Sequence, residues 1–114
     1  MILNIELINE CYMANYATAY IKSSATIKTK EKIFDFKNLF FKNKKIKKTK
    51  EIAEIVILGR IREEFAKISL NEHIDKDYME RISEYIKEVV SYDLDLSNIE
   101  IIDFKFITVN MVYN

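Results

Sequence analysis

IDKDYMERISEYIKEVV, Ile74 to Val90, is followed ten residues later by IIDFKFITVNMV, Ile101 to Val112, and the change of period between the two stretches decides the fold. In the first, Ile74, Tyr78, Ile82, Tyr85, Ile86, Val89 and Val90 recur at steps of three and four. That spacing sets them on one face of an amphipathic helix. Asp75 or Asn71 can cap its start, and Asp77 and Glu80 suit the positive end of the helix dipole. In the second, within a strand reaching from Ile99 to Val112, Ile102, Phe104 and Phe106 alternate with Asp103 and Lys105, the period of an extended chain. The apolar phase then moves to Ile107, Val109 and Met111, a slip of one residue that predicts a β-bulge or a strand buried on both faces.

Upstream of the helix a second one is expected. Thr49 can cap a helix running to about Ile68, with Leu58, Ile61, Phe65 and Ile68 on one stripe. Gly59 and the run Ile55-Val56-Ile57-Leu58 would also suit a buried strand, but the helical period continues from Arg60 to Lys67. Further upstream the chain reads as strands. Leu3, Ile5 and Leu7 share one side of an extended segment that Asn9-Glu10 ends, and Ala17, Ala19 and Ile21 alternate with Tyr16, Thr18 and Tyr20. Tyr12, Tyr16 and Tyr20, spaced by four, leave a helix open for this stretch. Ser23-Ser24 is a plausible turn into another strand from Thr26 to Phe36.

The order of elements predicts an α+β domain. A mostly antiparallel sheet of three to four strands, with the first and last as candidate neighbours, would carry two amphipathic helices packed on one face. Residues 1–114 read as a single domain, because no Pro-, Gly- or Ser-rich linker and no repeat interrupts them. A hydrophobic share of 49% fits a folded core at this length. No apolar run reaches the ~18 residues that span a bilayer, and MILNIELINE lacks the basic start of a secretory signal, so a cytoplasmic protein is expected. Cys11 is the single cysteine, which excludes an intramolecular disulfide and points to a small buried hydrophobe.

Charge is sorted by position. Lys22 to Lys50 holds eleven lysines against Glu31 and Asp35, while Glu51 to Asn114 carries fourteen acids against seven bases, and the whole chain is neutral. Ile, Lys and Asn dominate and Pro and Trp are absent, a pattern that A/T-rich codons produce. Codon bias accounts for the number of lysines but not for where they fall, since Glu codons are nearly as A-rich. A neutral chain so polarised points to a partner recognised through its field.

Two candidate sites follow. The first is basic: Lys42, Lys44, Lys45, Lys47, Lys48 and Lys50, immediately after Phe34, Phe36, Phe40 and Phe41. Lysines neutralise phosphates and aromatics stack on exposed bases, so the combination suits RNA or single-stranded DNA without sequence preference. The plainer alternative is a solvated lysine loop with the phenylalanines in the core, and the scarcity of Arg speaks against base readout. The second is acidic. Glu80, Glu84 and Glu88 recur every four residues, a stripe of like charge that costs a helix a few tenths of a kcal/mol per pair. Such a stripe suits a basic partner, for instance the nucleic-acid channel of another protein, with carboxylates standing in for phosphates. Its alternative is an ordinary solvated face relieved by Asp77 with Arg81 and Glu84 with Lys87.

The chain offers little to catalysis. His73 lies four residues before Asp77, but a metal site needs a third ligand that this spacing does not supply, so neither metal nor cofactor is implied. No nucleophile elbow, Gly-rich phosphate loop or HExxH pattern occurs, and no catalytic residue is assigned. In size, charge sorting and codon usage the chain is similar to the inhibitors that phages and mobile elements carry against host defences, anti-CRISPR proteins among them. That likeness implies a small non-enzymatic protein acting by stoichiometric association with a larger, nucleic-acid-handling host protein or nucleoprotein complex. Two other readings stand beside it: a nucleic-acid-binding module using Lys42 to Lys50, and a small enzyme acting on a nucleotide or phosphorylated ligand. Oligomeric state is left open at this level.

Overall fold

The computed structural model describes residues 1–29, 39–70 and 74–114, with the side chains of 39–42 outside that description. Three strands, β1 (Ile2–Tyr12), β2 (Ala17–Thr29) and β3 (Ile99–Tyr113), form one antiparallel sheet in the order β1-β2-β3. Two helices, α1 (Leu39–Ala66) and α2 (Lys76–Asp95), lie between β2 and β3 in the chain and pack on one face of the sheet, α1 against β1 and α2 against β3. The α+β class, the antiparallel sheet and the pair of helices are as the periodicity predicts. The strand order is not: β2 is central, and β1 and β3 are opposite edges rather than neighbours.

Strand composition explains which element is central. The inner face of β2 reads Ala17, Ala19, Ile21, Ser23, Ala25, Ile27 and Thr29, all buried. Small side chains there leave room for larger ones from β1 and β3 and for the helices above. Ser23 and Ser24 form no turn. Ser23 is fully buried and pairs with Leu7 on one side and Phe106 on the other, so both neighbouring strands hold its backbone in line. The strand expected from Thr26 to Phe36 is thus the end of β2 as far as Thr29, and residues 30–36 lie outside the described residues. The β1–β2 connection is made instead at Asn15 and Tyr16, whose φ of 58° and 61° are left-handed, closed by Met13 N–H donating to the Ala17 carbonyl at 2.9 Å. Asn adopts that conformation readily, and Tyr16 carries its steric cost.

The slip in β3 is real, and there are two of them. Thr26 pairs with Asp103 but Ile27 with Ile101, and Lys22 pairs with Thr108 but Ser23 with Phe106. Ile102 and Ile107 are therefore the extra residues. Each moves the inward phase by one, so the inner face of β3 runs Ile99, Ile101, then Phe104, Phe106, then Val109, Met111. Ile102, expected inside with Phe104 and Phe106, is exposed for this reason.

In α1 the helix begins ten residues before the expected cap. Lysine has good helix propensity and nothing from Leu39 to Leu58 breaks the turn, so the lysine segment is helical rather than a loop. Thr49 is a buried interior residue on the stripe formed by Ala53, Ile57, Ile61 and Phe65, which also settles the Ile55–Leu58 run as helix. Phe65 meets Phe106 edge to face at 5.8 Å, and Phe106 meets Phe104 at 5.2 Å. These rings pin the C-terminal end of α1 to β3. Burial is completed by Ile86, Val90 and Leu94 of α2, whose N-cap is Asp75, its carboxylate accepting from Tyr78 N–H at 2.8 Å. Asn71, the other candidate cap, lies outside the described residues.

Candidate functional site

The two helices are antiparallel, and one contact fixes their relative level. Arg60 of α1 makes a bidentate bond to Asp93 of α2, Nε to Oδ2 at 2.6 Å and Nη2 to Oδ1 at 3.0 Å, while its Nη1 reaches Glu63 at 3.1 Å. The hydrogen bonds from the guanidinium hold the Asp93 carboxyl below its ordinary value, against the opposing effect of burial. Hydrogen bonding to Asp93 likewise raises Arg60 above its already high value.

From that contact the basic and acidic candidates diverge. Lys48 is twelve residues toward the start of α1, about 18 Å at the helical rise, and Lys47, Lys45 and Lys44 lie further out. Glu88 is five residues from Asp93 along α2 in the opposite direction, about 8 Å, with Glu84 and Glu80 beyond it. Lys50, the nearest of the basic set, is ten residues from Arg60, so the nearest approach of the two sets along the helix axes is about 22 Å, roughly three Debye lengths at physiological ionic strength. The charge sorting seen in the sequence survives folding as two separate regions.

Around α1, Lys44, Lys45, Lys47 and Lys48 are exposed and spread over about 160° of the circumference, at ~100° per residue. Lys50 is half-buried beside the apolar stripe. Lys42 lies in α1, but its side chain is outside the description, as are Phe40 and Phe41; Phe34 and Phe36 fall among the residues not described. The aromatic half of the basic candidate therefore has no described geometry. The first turn of α1 holds no acidic residue to offset the positive end of the helix dipole.

On α2, Glu80, Glu84 and Glu88 are all exposed, and among the described residues none of the three is in an ion pair. The relief expected from Lys87 for Glu84 and from Arg81 for Asp77 is not formed. The stripe instead borders two shallow grooves between α2 and β3. One, of about 390 Å³, is lined by Glu84, Lys87, Glu88, Ser91, Tyr92 and Ile101, and the other, of about 290 Å³, by Lys76, Met79, Glu80, Ser83, Lys105 and Phe106.

His73 is outside the described residues, so its pairing with Asp77 has no described geometry. Among the described residues no group of three or more His, Cys, Asp or Glu side chains comes together. Cys11 is fully buried, accepts from Asn9 Nδ2 at 3.0 Å, and has its thiol pushed up by burial, with Arg62 partly opposing. No helix among the described residues is long and apolar enough to cross a membrane.

The sequence reading missed the outer face of the sheet. Ile8 and Tyr12 are 79% and 74% exposed, and Tyr20 stands beside them on β2. The signal was present in the alternation, since residues out of phase with Leu3, Ile5 and Leu7 must point away from the helices. Compared with known proteins, the chain matches no family model and no curated protein.

Proposed function

We propose that this protein acts by stoichiometric binding to a larger protein that handles nucleic acid, with the acidic stripe of α2 as the principal contact. The observation that carries this reading is the set of three exposed carboxylates on one helix line that, among the described residues, form no ion pair even with the neighbouring Lys87, Lys76 and Lys105, and that lie about 22 Å or more from the lysines of α1. Like charges at four-residue spacing destabilise a helix, so a stripe left unrelieved is a standing cost that a basic partner would offset. Its charge density is one carboxylate per ~6 Å of helix, against one phosphate per ~3.4 Å of a nucleic-acid strand, enough to compete for lysines and arginines arranged along a backbone channel. Lysines at the far end of α1 orient the molecule as it approaches, keeping the stripe turned toward the basic surface. This is the mode of action of an anti-defence inhibitor of the anti-CRISPR kind, carried by a phage or mobile element.

The test is capture by the immobilised chain from nuclease-treated bacterial lysate, comparing wild type with the Glu80→Gln/Glu84→Gln/Glu88→Gln variant. One protein should be retained at near-equal stoichiometry and lost from the variant.

A second reading, direct nucleic-acid binding, is favoured by the exposed Lys44, Lys47 and Lys48 clustered in the first third of α1. It predicts a mobility shift of single-stranded RNA or DNA that weakens steeply with salt and falls in a Lys44→Ala/Lys47→Ala/Lys48→Ala variant.

A further inference from the structure

The two halves of β3 differ as a sheet edge. From Ile99 to Ile107 the strand carries Glu100, Asp103 and Lys105, both register slips, and the cover of α2. Charges and bulges are the devices by which edge strands avoid pairing with another chain. From Thr108 to Asn114 they are missing: TVNMVYN is seven residues without a charge, a proline or a register slip, with Thr108, Val109 and Val112 β-branched. From Thr108 to Tyr113 the strand pairs residue for residue with Lys22 back to Ala17 of β2, so it is straight and its outer edge is regular. Among the described residues nothing pairs with that edge.

We infer that the free edge of β3 between Thr108 and Val112 pairs with the same segment of a second copy, antiparallel about a two-fold axis at Asn110. The occupant follows from what the pairing brings together. With Asn110 on the axis, Thr108 meets Val112 and Val109 meets Met111 of the other copy, so each contact occurs twice and no charge faces another. Val109 and Met111 point to the core side but are only partly buried, and the second copy's Met111 and Val109 would extend the apolar layer over them. Asn110, exposed, would meet its own amide, which can donate and accept at once. Because the bulge at Ile107 stops the overlap at Thr108, the charged half of each β3 lies beyond the paired segment. The acidic stripes fall at opposite ends of a continuous six-stranded sheet and do not confront each other. The opposite edge is less suited, since β1 presents exposed Glu6 and Glu10.

Sedimentation equilibrium of the full chain tests this. Wild type should run at twice the 13.6 kDa chain mass at tens of micromolar, and Thr108→Lys/Asn110→Lys, which sets like charges across the axis on the solvent face, should run as a monomer with unchanged circular dichroism. Glu6→Lys, on the other edge, should remain dimeric. Should the double variant fail to fold, Asn110→Cys decides, because cross-strand partners lie within disulfide reach and the variant should oxidise to a covalent dimer. A wild type that is monomeric up to several hundred micromolar, or a dimer that persists in a folded double-lysine variant, overturns the proposal.

Discussion

Gly59 is the one glycine of the chain and sits inside α1 with ordinary helical backbone, and a Cβ added there would meet nothing within 4 Å. Its effect is purely on the unfolded chain and on helix propensity. Gly59→Ala should therefore stabilise the fold by about 0.5–1 kcal/mol, read as a rise in the urea midpoint with unchanged slope. Cys11 behaves in the opposite sense, as a group the fold withdraws from chemistry. Fully buried and with a raised thiol, it should resist alkylation by iodoacetamide at pH 8 in the native state and react at once in denaturant. Rapid modification of the native protein would place the Asn9–Cys11 contact at the surface.

At the level of elements, the Arg60–Asp93 bond joins α1 to α2 and is about one-third exposed, so its contribution is modest. Asp93→Asn should cost about 1 kcal/mol at pH 7, near the upper range for surface ion pairs because the bond is bidentate. The pH dependence has a definite sign. The folded carboxyl titrates below the unfolded one, so the stabilisation is fully present above the unfolded value of about 3.9 and fades as pH falls through the lower folded value. Thermal melts of wild type and variant should differ at pH 7 and converge well below pH 4. Equal melting at pH 7 would mean that the bond holds the helices in register without adding stability.

Much at this level was legible in the sequence. The α2 period from Ile74 to Val90 marked its face, apart from Tyr85, which is exposed, and offered Asp75 as one of two caps, and the phase change at Phe106–Ile107 marked a bulge. What escaped were features decided by partners distant in sequence. Ser23-Ser24 looks like a turn until Leu7 and Phe106 are known to flank it, and Ile102 looks buried until its pairing with β2 slips. Thr49 is a different case, because its four-residue spacing to Ala53 and Ile57 is local and already sets it inside a helical stripe. Of the candidate sites, the sequence showed which residues carry charge. Only the antiparallel helices, levelled by Arg60 and Asp93, show that the lysines and the glutamates do not meet.

At the scale of the whole molecule that separation is the central claim. A neutral protein with a basic helix end and an acidic helix line on opposite sides of one salt bridge has a field with direction, and ionic strength should weaken any association that uses it. Capture from nuclease-treated bacterial lysate by three immobilised forms tests the claim most directly: wild type, Glu80→Gln/Glu84→Gln/Glu88→Gln, and Lys44→Gln/Lys47→Gln/Lys48→Gln. The predicted result is one protein retained near equal stoichiometry by wild type, lost from the glutamate variant and still held, more slowly gained, by the lysine variant. Equal capture by wild type and the glutamate variant, or nothing above background on wild type, would contradict it.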